Sequence, residues 1–175
     1  MNLQIEPFSQ ALLPKVQNFE CGTDLPALLA SQWIKSPLPF PGALKSMQVY
    51  GNSLWLYFLN VAMLEEQYLV GFGSLGVTRW AIDPPDGPKR DVGFLPMVAV
   101  ASSFQGKPTT QGERRYSQLI MEDLIAKARE RNFRELCLYV HKDNIRAIRL
   151  YNSFRFRQIG GPDAKCNLRM LMLLD

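Results

Sequence analysis

The sequence predicts a single α/β domain of the α+β kind, in which a sheet is flanked by helices. Three observations lead there. The stretch from Met97 to Phe156 reads as strand, long polar loop, helix, strand and helix. Two apolar, aromatic runs, Ser53–Ala62 and Gln67–Thr78, are separated by a short acidic turn and predict a hairpin. The chain has 175 residues, of which 47% are hydrophobic, so it is long enough for one domain, residues 1–175, with a substantial core.

The N-terminal part of the chain predicts a strand followed by a helix. Leu3–Phe8 alternates loosely between apolar and polar residues, which indicates a first strand. A helix that Thr23 or Asp24 can cap follows, because apolar residues then recur on one helical face. The prolines after Ser36 end this helix.

Glycines punctuate the second strand of the hairpin. The spacing Gly71-x-Gly73-x-x-Gly76 matches a dinucleotide-binding fingerprint, but that fingerprint requires a helix directly after it, and none is predicted here. Glycines inside a strand more often mark a bulge or the close approach of another element. We therefore interpret them as packing glycines.

The second half of the chain carries the features that point to a ligand. Val92–Val100 is predicted as the central strand, with a distortion at Pro96. A polar loop, Ser102–Arg114, leads to an amphipathic helix, Tyr116–Arg131. The start of a helix offers backbone N–H groups and the positive end of a dipole, so this arrangement suits a phosphate.

A second strand and a short helix follow. Glu135–Val140 is the strand, and the helix opens at Asp143–Asn144 and runs to Tyr151–Asn152. Two further strands are predicted, over Phe154–Ile159 and Leu168–Leu174.

Charge and cysteine content exclude several classes of protein. The net charge of +4 is modest. It suits a polyanionic ligand and leaves room for an RNA partner, although a solvated basic surface is the more ordinary explanation. Cys21, Cys137 and Cys166 are widely spaced, which argues against a disulfide framework or a metal site and favours a reducing cytoplasm. No apolar run is long enough to span a membrane.

Two segments resemble a known family. Asn144-Ile-Arg-Ala147-Ile-Arg-Leu150-Tyr151-Asn-Ser-Phe-Arg-Phe156 is similar to the N-x-x-A-x-x-L-Y-x-x-x-G-F signature of the GNAT superfamily of acetyl-CoA-dependent N-acetyltransferases. Val100 to Lys107 resembles the end of that family's fourth strand and the start of its coenzyme loop. The resemblance covers residues 90 to 160 well and the N-terminal half loosely.

The resemblance implies the GNAT fold, a mixed, mostly antiparallel sheet of about six to seven strands, splayed between strands 4 and 5 and flanked by about four helices. It also implies acetyl transfer from acetyl-CoA, the cosubstrate, to a primary amine by direct attack, with no metal. The residues to which it assigns coenzyme binding are Val98, Ala99, Val100, Gly112, Arg114, Arg115, Tyr116, Ser117, Asn144, Ala147 and Tyr151.

The loop departs from the family pattern, which is Q/R-x-x-G-x-G/A. The usual spacing places Gly112 first, Arg115 at the inner glycine and Ser117 at the final small residue, with an insertion from Lys107 to Glu113. Arg115 cannot adopt a positive φ as cheaply as glycine, so the loop is expected to close differently. Arg114 and Arg115 either bind phosphate or are ordinary surface charges.

The resemblance gives Tyr151 the role of general acid toward the departing thiolate. Asn144 either caps the last helix or bonds the pantetheine arm, and Ala147 is small where the coenzyme passes. Arg155 stands where the family has glycine.

The base stays open between a water relay, which would leave no trace in the sequence, and acidic residues chosen by charge alone, which are Glu65, Glu66, Asp91 and Glu113. His141 either assists a proton relay or lies on the surface. In the family, the loop from Ser36 to Gly42 shapes the acceptor site, so Trp33 and Phe40 either wall a pocket or pack that loop.

Two alternative functions remain. Phe19-Glu-Cys21-Gly22 before a helix, in a basic chain, resembles GNAT-type toxins that acetylate aminoacyl-tRNA, although the small charge excess disfavours a nucleic-acid partner. The poor match of the glycine loop suggests instead a non-catalytic acyl-CoA-binding or interaction module. The apolar Leu168–Leu174 segment allows a homodimer.

Overall fold

The computed structural model describes residues 2–16, 19, 52–61, 66–80, 90–109, 112 and 114–174, which form an eight-stranded sheet with helices packed on it. The strands are β1 (Asn2–Pro7), β2 (Ser53–Val61), β3 (Glu66–Trp80), β4 (Arg90–Phe94), β5 (Val98–Val100), β6 (Glu135–His141), β7 (Arg157–Ile159) and β8 (Asn167–Leu173). The helices are α1 (Leu13–Val16), α2 (Tyr116–Glu130) and α3 (Ile145–Ser153), with single 3₁₀ turns at Gln10–Leu12 and Ser102–Phe104.

The sheet has the order β1-β2-β3-β4-β6-β8-β7, and β5 lies beside β3. Within the described residues β4 and β6 run parallel, whereas the other pairs are antiparallel. The predicted mixed, mostly antiparallel sheet is thereby confirmed. The strand count rises to eight partly because the strand predicted over Val92–Val100 is divided at Leu95–Met97, beside the proline that predicted a distortion.

One predicted strand is shorter in the structure, and one predicted helix lies outside the described residues. The strand predicted over Phe154–Ile159 begins only at Arg157, because the preceding residues form the turn that ends α3. The predicted helix that Thr23 or Asp24 would cap, and the loop with Trp33 and Phe40, lie outside the described residues.

The main core lies between the sheet and α2. The buried face of α2 consists of Tyr116, Ile120, Met121, Leu124, Ile125 and Ala128. Glycines of β3 let this face approach closely: a Cβ atom at Gly73 would come within 2.6 Å of a methyl carbon of Leu124. The interpretation of the β3 glycines as packing positions is therefore confirmed at Gly73.

A polar contact ties α2 to β2. The buried hydroxyl of Tyr57 donates to Asp123 Oδ2 at 2.5 Å, and Lys127 Nζ pairs with the other oxygen of that carboxylate. Burial, followed by the hydrogen bond to Asp123, raises the pKa of Tyr57 far above its usual range. Lys127 Nζ also lies 5.2 Å from the centre of the Trp55 ring. These contacts fix the orientation of α2 on the sheet.

Both long helices end in a left-handed residue that is not glycine. Asn132 (φ 58°) follows α2, where Phe133 N–H donates to Ala128 O at 3.2 Å. Arg155 (φ 67°) follows α3, where Phe156 N–H donates to Tyr151 O at 3.1 Å. This six-to-one bond is the Schellman ending, which favours glycine at the left-handed position.

Candidate active site

The sheet opens between β5 and the second half of β6. The pairing of β4 with β6 ends at Phe94 and Cys137, and the final bond runs from Leu95 N–H to Cys137 O at 2.9 Å. After Pro96 the chain pairs as β5 with β3, while β6 continues beside β8. Leu95–Met97 therefore turns the chain away from β6. The splay expected between strands 4 and 5 of the family is confirmed, and in this chain those strands are β5 and β6.

The edge of β5 that faces this opening carries backbone groups directed away from β3. Ser74 N–H donates to Met97 O at 2.9 Å, and Ala101 N–H donates to Val70 O at 2.7 Å. Because the bonding direction alternates along a strand, Ala99 also bonds toward β3, and the groups of Val98 and Val100 point into the opening. Gln105 Nε2 reaches one of them, the Val100 carbonyl, at 3.0 Å.

Tyr151 lies on the inner side of α3. Its ring packs 5.9 Å from the ring of Phe156, and it borders the same core cluster as Val98 and Ala147. Burial raises the pKa of Tyr151 to about 12, so the phenol remains protonated throughout the neutral range.

The start of α3 is fixed by Asn144. Its side-chain oxygen accepts the N–H of Ala147 at 3.1 Å, which is the helix cap that the sequence allowed for this residue. The Nδ2 end of the amide takes no part in this bond.

The loop between β5 and α2 contains a small hairpin where the sequence indicated an insertion. Pro108 pairs with Arg115, and Thr109 N–H donates to Arg114 O at 2.6 Å. The turn is tightened by Gly112, whose N–H donates to Thr109 O at 3.0 Å.

Arg115 precedes α2 in an ordinary extended conformation, with φ −87° and ψ 152°. Positive φ values occur instead at Gly106 (70°) and Gly112 (103°). The expected conflict between arginine and a left-handed backbone does not arise, because Arg115 is extended and the left-handed positions of this loop are occupied by glycines.

The first turn of α2 leaves two N–H groups without a carbonyl partner inside the helix. Gln118 and Leu119 donate to Arg115 O at 3.0 and 3.2 Å, and Gln118 Oε1 accepts the Arg115 N–H at 2.8 Å. The two N–H groups without a carbonyl partner inside the helix are those of Tyr116 and Ser117. The side chain of Tyr116 is buried against Phe104.

The two arginines before α2 differ in their surroundings. Arg114 Nη1 pairs with Glu122 Oε2 at 2.5 Å on the exposed surface of α2. The Arg115 side chain is exposed and bonds no carboxylate among the residues that the structure describes. Arg114 therefore fits an ordinary surface charge better than Arg115 does.

Of the acidic residues considered as a base, Asp91 is the one whose side chain the structure describes. Asp91 is bonded to Arg79 at 3.2 Å and lies near the far end of β4 from β5. Glu65, Glu113 and the side chain of Glu66 lie outside the described part of the chain. His141 is mostly enclosed, and its Nδ1 accepts the N–H of Asp143 at 3.3 Å.

Sequence reasoning missed Tyr139, which lies on β6 just past the point where the strands part. Its side chain is 42% exposed and meets the Phe94 ring edge-on at 6.0 Å. The signal was present in the alternation of β6, because Leu138 and Val140 face α2 and place Tyr139 on the opposite face.

Metal-binding groups and membrane-spanning helices were sought in the described residues. Within the described ranges no group of three or more His, Cys, Asp or Glu side chains is arranged to hold a metal ion. None of the helices described above combines the length and hydrophobicity needed to cross a membrane.

Comparison with solved structures shows the same fold at low sequence identity. PaiA N-acetyltransferase from Thermoplasma acidophilum, in complex with coenzyme A, is 14% identical with a TM-score of 0.66, covering 99% of both chains. Ard1 from Thermoplasma volcanium is 18% identical with a TM-score of 0.62, covering 100% of this chain and 99% of that one. A tyrosine-to-phenylalanine mutant of the toxin AtaT, bound to the C-terminus of the antitoxin AtaR and acetyl-CoA, is 14% identical with a TM-score of 0.60, covering 99% of this chain and 94% of that one.

No curated protein sequence matches this chain. The sequence model of the acetyltransferase (GNAT) family, however, matches residues 30–156, which is most of the chain. The matched residues include both the signature around Tyr151 and the two strands, β5 and β6, between which the sheet is splayed. The protein therefore belongs to the GNAT acetyltransferase family.

Proposed function

We propose that this protein is an N-acetyltransferase that moves the acetyl group of acetyl-CoA to a primary amine by direct attack, with Tyr151 as general acid. The observation that carries the proposal is the opening beside β5, where Val98 and Val100 present backbone groups next to the core that holds Tyr151. An extended backbone edge suits an arm that carries amide groups, as pantetheine does.

Different residues around the opening bind different parts of the coenzyme. Val98 and Val100 bond the pantetheine arm, whereas Ala99 contributes only by holding β5 on β3. The Nδ2 end of Asn144 remains for the arm, because its oxygen caps α3. The N–H groups of Tyr116 and Ser117 face the phosphates at the start of α2. Coenzyme A in the PaiA structure supports this class of ligand.

In the proposed reaction a neutral amine attacks the thioester carbonyl carbon. The new C–N bond forms, the C–S bond breaks, and its electron pair stays on sulfur. The phenolic proton of Tyr151 passes to that sulfur, and the proton released by the attacking nitrogen returns through water to the phenolate. Donors and acceptors therefore balance without a covalent intermediate on the protein.

The pKa of Tyr151 sets a condition on this step. Burial raises it to about 12, whereas a free thiol has a pKa of about 8.5, so complete transfer is uphill by roughly 5 kcal/mol before other charges act. The attacking nitrogen becomes cationic in the tetrahedral intermediate. A nearby positive charge lowers the pKa of a phenol and so favours the transfer.

The acceptor amine is assigned to the face of the sheet opposite α2 and α3. Tyr139 and Phe94 are the described aromatic side chains on that face next to the opening. They would form one wall of the acceptor site. We assign the role of base to a solvent molecule, because Asp91, the candidate carboxylate that the structure describes, is paired with Arg79.

Calorimetric titration of acetyl-CoA into the wild type and Tyr151→Phe tests this function. Both are expected to bind with similar affinity, and a thiol-release assay with a panel of primary amines should then show a loss of turnover of about 10²- to 10⁴-fold in the variant. Absence of binding to the wild type would refute the coenzyme site. Full turnover by Tyr151→Phe would refute the acid role alone.

A further inference from the structure

Arg146, in the first turn of α3, reaches the loop that follows β5. A Cβ atom placed on Gly106 would lie 2.7 Å from Nη2 of Arg146, so the guanidinium rests directly against the glycine backbone. Gly106 also has a φ of +70°. The positive φ favours glycine at this position, and the missing side chain leaves room for the guanidinium of Arg146.

The surroundings of this contact are basic. Arg149 lies one turn after Arg146 on the exposed side of α3, and Lys107 follows Gly106. Like charges three residues apart destabilise a helix. Neither Arg149 nor Lys107 pairs with a carboxylate within the described part of the chain. The local excess of positive charge attracts an anion.

We propose that the guanidinium of Arg146 binds the pyrophosphate of the coenzyme, with Gly106 as the position that lets it approach. The inference rests on the proposed function and concerns how this chain compensates for its missing inner glycine. A guanidinium can form two parallel bonds to phosphate oxygens, so one side chain can replace part of a cradle of N–H groups.

The order of groups along the coenzyme selects the pyrophosphate. The pantetheine arm lies along Val98 and Val100, and the pyrophosphate is the first charged group beyond it. Gly106 follows Val100 after a single 3₁₀ turn, Ser102–Phe104. The contact between Gly106 and Arg146 is therefore at the end of the arm, where that charge falls.

The test measures binding of coenzyme A and of 3′-dephospho-coenzyme A by calorimetry. Arg146→Ala should weaken both ligands by the same factor, about tenfold to a hundredfold, as expected for the loss of bonds to a charged group. Gly106→Ala should act similarly, because the new methyl group displaces the guanidinium. The double variant should bind little worse than either single variant.

Arg129→Ala, at an exposed arginine near the end of α2, is the matched control and should bind like the wild type. Arg146→Lys should retain part of the affinity, which distinguishes charge from a packing role; this pair decides the matter if Gly106→Ala fails to fold. Equal affinities for Arg146→Ala and Arg129→Ala would overturn the inference. So would a loss confined to coenzyme A, since that would assign the guanidinium to the 3′-phosphate.

Wild-type protein that binds neither ligand would overturn the proposed function and this inference together. Wild-type binding without an effect of Arg146→Ala would overturn this inference alone.

Discussion

Gly71 lies where β3 pairs with β5 and packs against α2. Replacing it with alanine should push β5 and α2 away from β3. A Cβ atom there would lie 2.3 Å from the carbonyl oxygen of Ala99 and 2.8 Å from Cδ1 of Ile120. Ordinary contacts begin near 3.5 Å, so β5 must move by roughly 1 Å. Because the obstacle is backbone, the movement cannot be absorbed by a change of rotamer.

The expected cost follows from two contributions. Overpacking a closely packed core costs about 1–3 kcal/mol, and each weakened bond between β3 and β5 adds about 1 kcal/mol. Gly71→Ala should therefore lower the free energy of unfolding by about 3 kcal/mol. For a chain of this length the melting temperature should fall by about 6–12 °C.

A graded series makes the test specific. At Gly73 the three atoms nearest to the new methyl group, the first at 2.6 Å, belong to the side chain of Leu124, so Gly73→Ala should cost less, about 1–2 kcal/mol. At Gly161 no atom lies within 4 Å, and Gly161→Ala should change little. Urea unfolding of the three variants measures the order. If Gly71→Ala proves no worse than Gly161→Ala, the close approach of β5 to β3 is wrong.

Three further predictions concern charge and backbone conformation. Burial holds the pKa of Tyr57 well above its usual range and raises that of Tyr151 to about 12, so the folded protein keeps protons that the unfolded chain loses near pH 10. The free energy of unfolding should therefore fall above pH 10, by about 1.4 kcal/mol per pH unit for each tyrosine. Urea unfolding at pH 9 to 11 measures this dependence on pH, which Tyr57→Phe should make less steep. For the same reason, kcat/KM for acetyl transfer should rise as the amine loses its proton and show no decline from ionised Tyr151 below about pH 11. Arg155→Gly should raise the free energy of unfolding by about 0.5–1 kcal/mol, whereas Arg155→Ala, which keeps the left-handed strain, should not.

Local signals predicted the elements of the second half of the chain well. The face of α2, the division of the central strand at Pro96 and the cap at Asn144 each follow from spacing or from the chemistry of one residue. Such signals are local, because a helix face or a cap depends on residues a few positions apart. Their boundaries therefore differ from the structure by only a few residues.

Contacts between distant residues left no such signal. Arg146 against Gly106, and Tyr57 with Asp123, join residues whose neighbours in sequence do not distinguish them from surface charge or ordinary core. The position of Tyr139 on the free face was readable from alternation, but its nearness to the opening depends on where β4 and β6 part. That point is a property of the assembled sheet.

The two arginines that stand where the family favours glycine show why a departure from a pattern must be judged by backbone conformation. Arg115 is extended, and the positive φ angles of its loop fall at Gly106, before the hairpin, and at Gly112, inside it. Arg155 has kept the left-handed conformation itself, at φ 67°. Arg115→Gly thus has no strain to relieve and should change stability by less than about 0.5 kcal/mol, because glycine at a helix cap and its greater freedom in the unfolded chain act in opposite directions. If Arg115→Gly and Arg155→Gly raised the free energy of unfolding equally, Arg115 would carry the same backbone strain as Arg155. The argument that Arg146 replaces N–H groups missing from the loop would then fail.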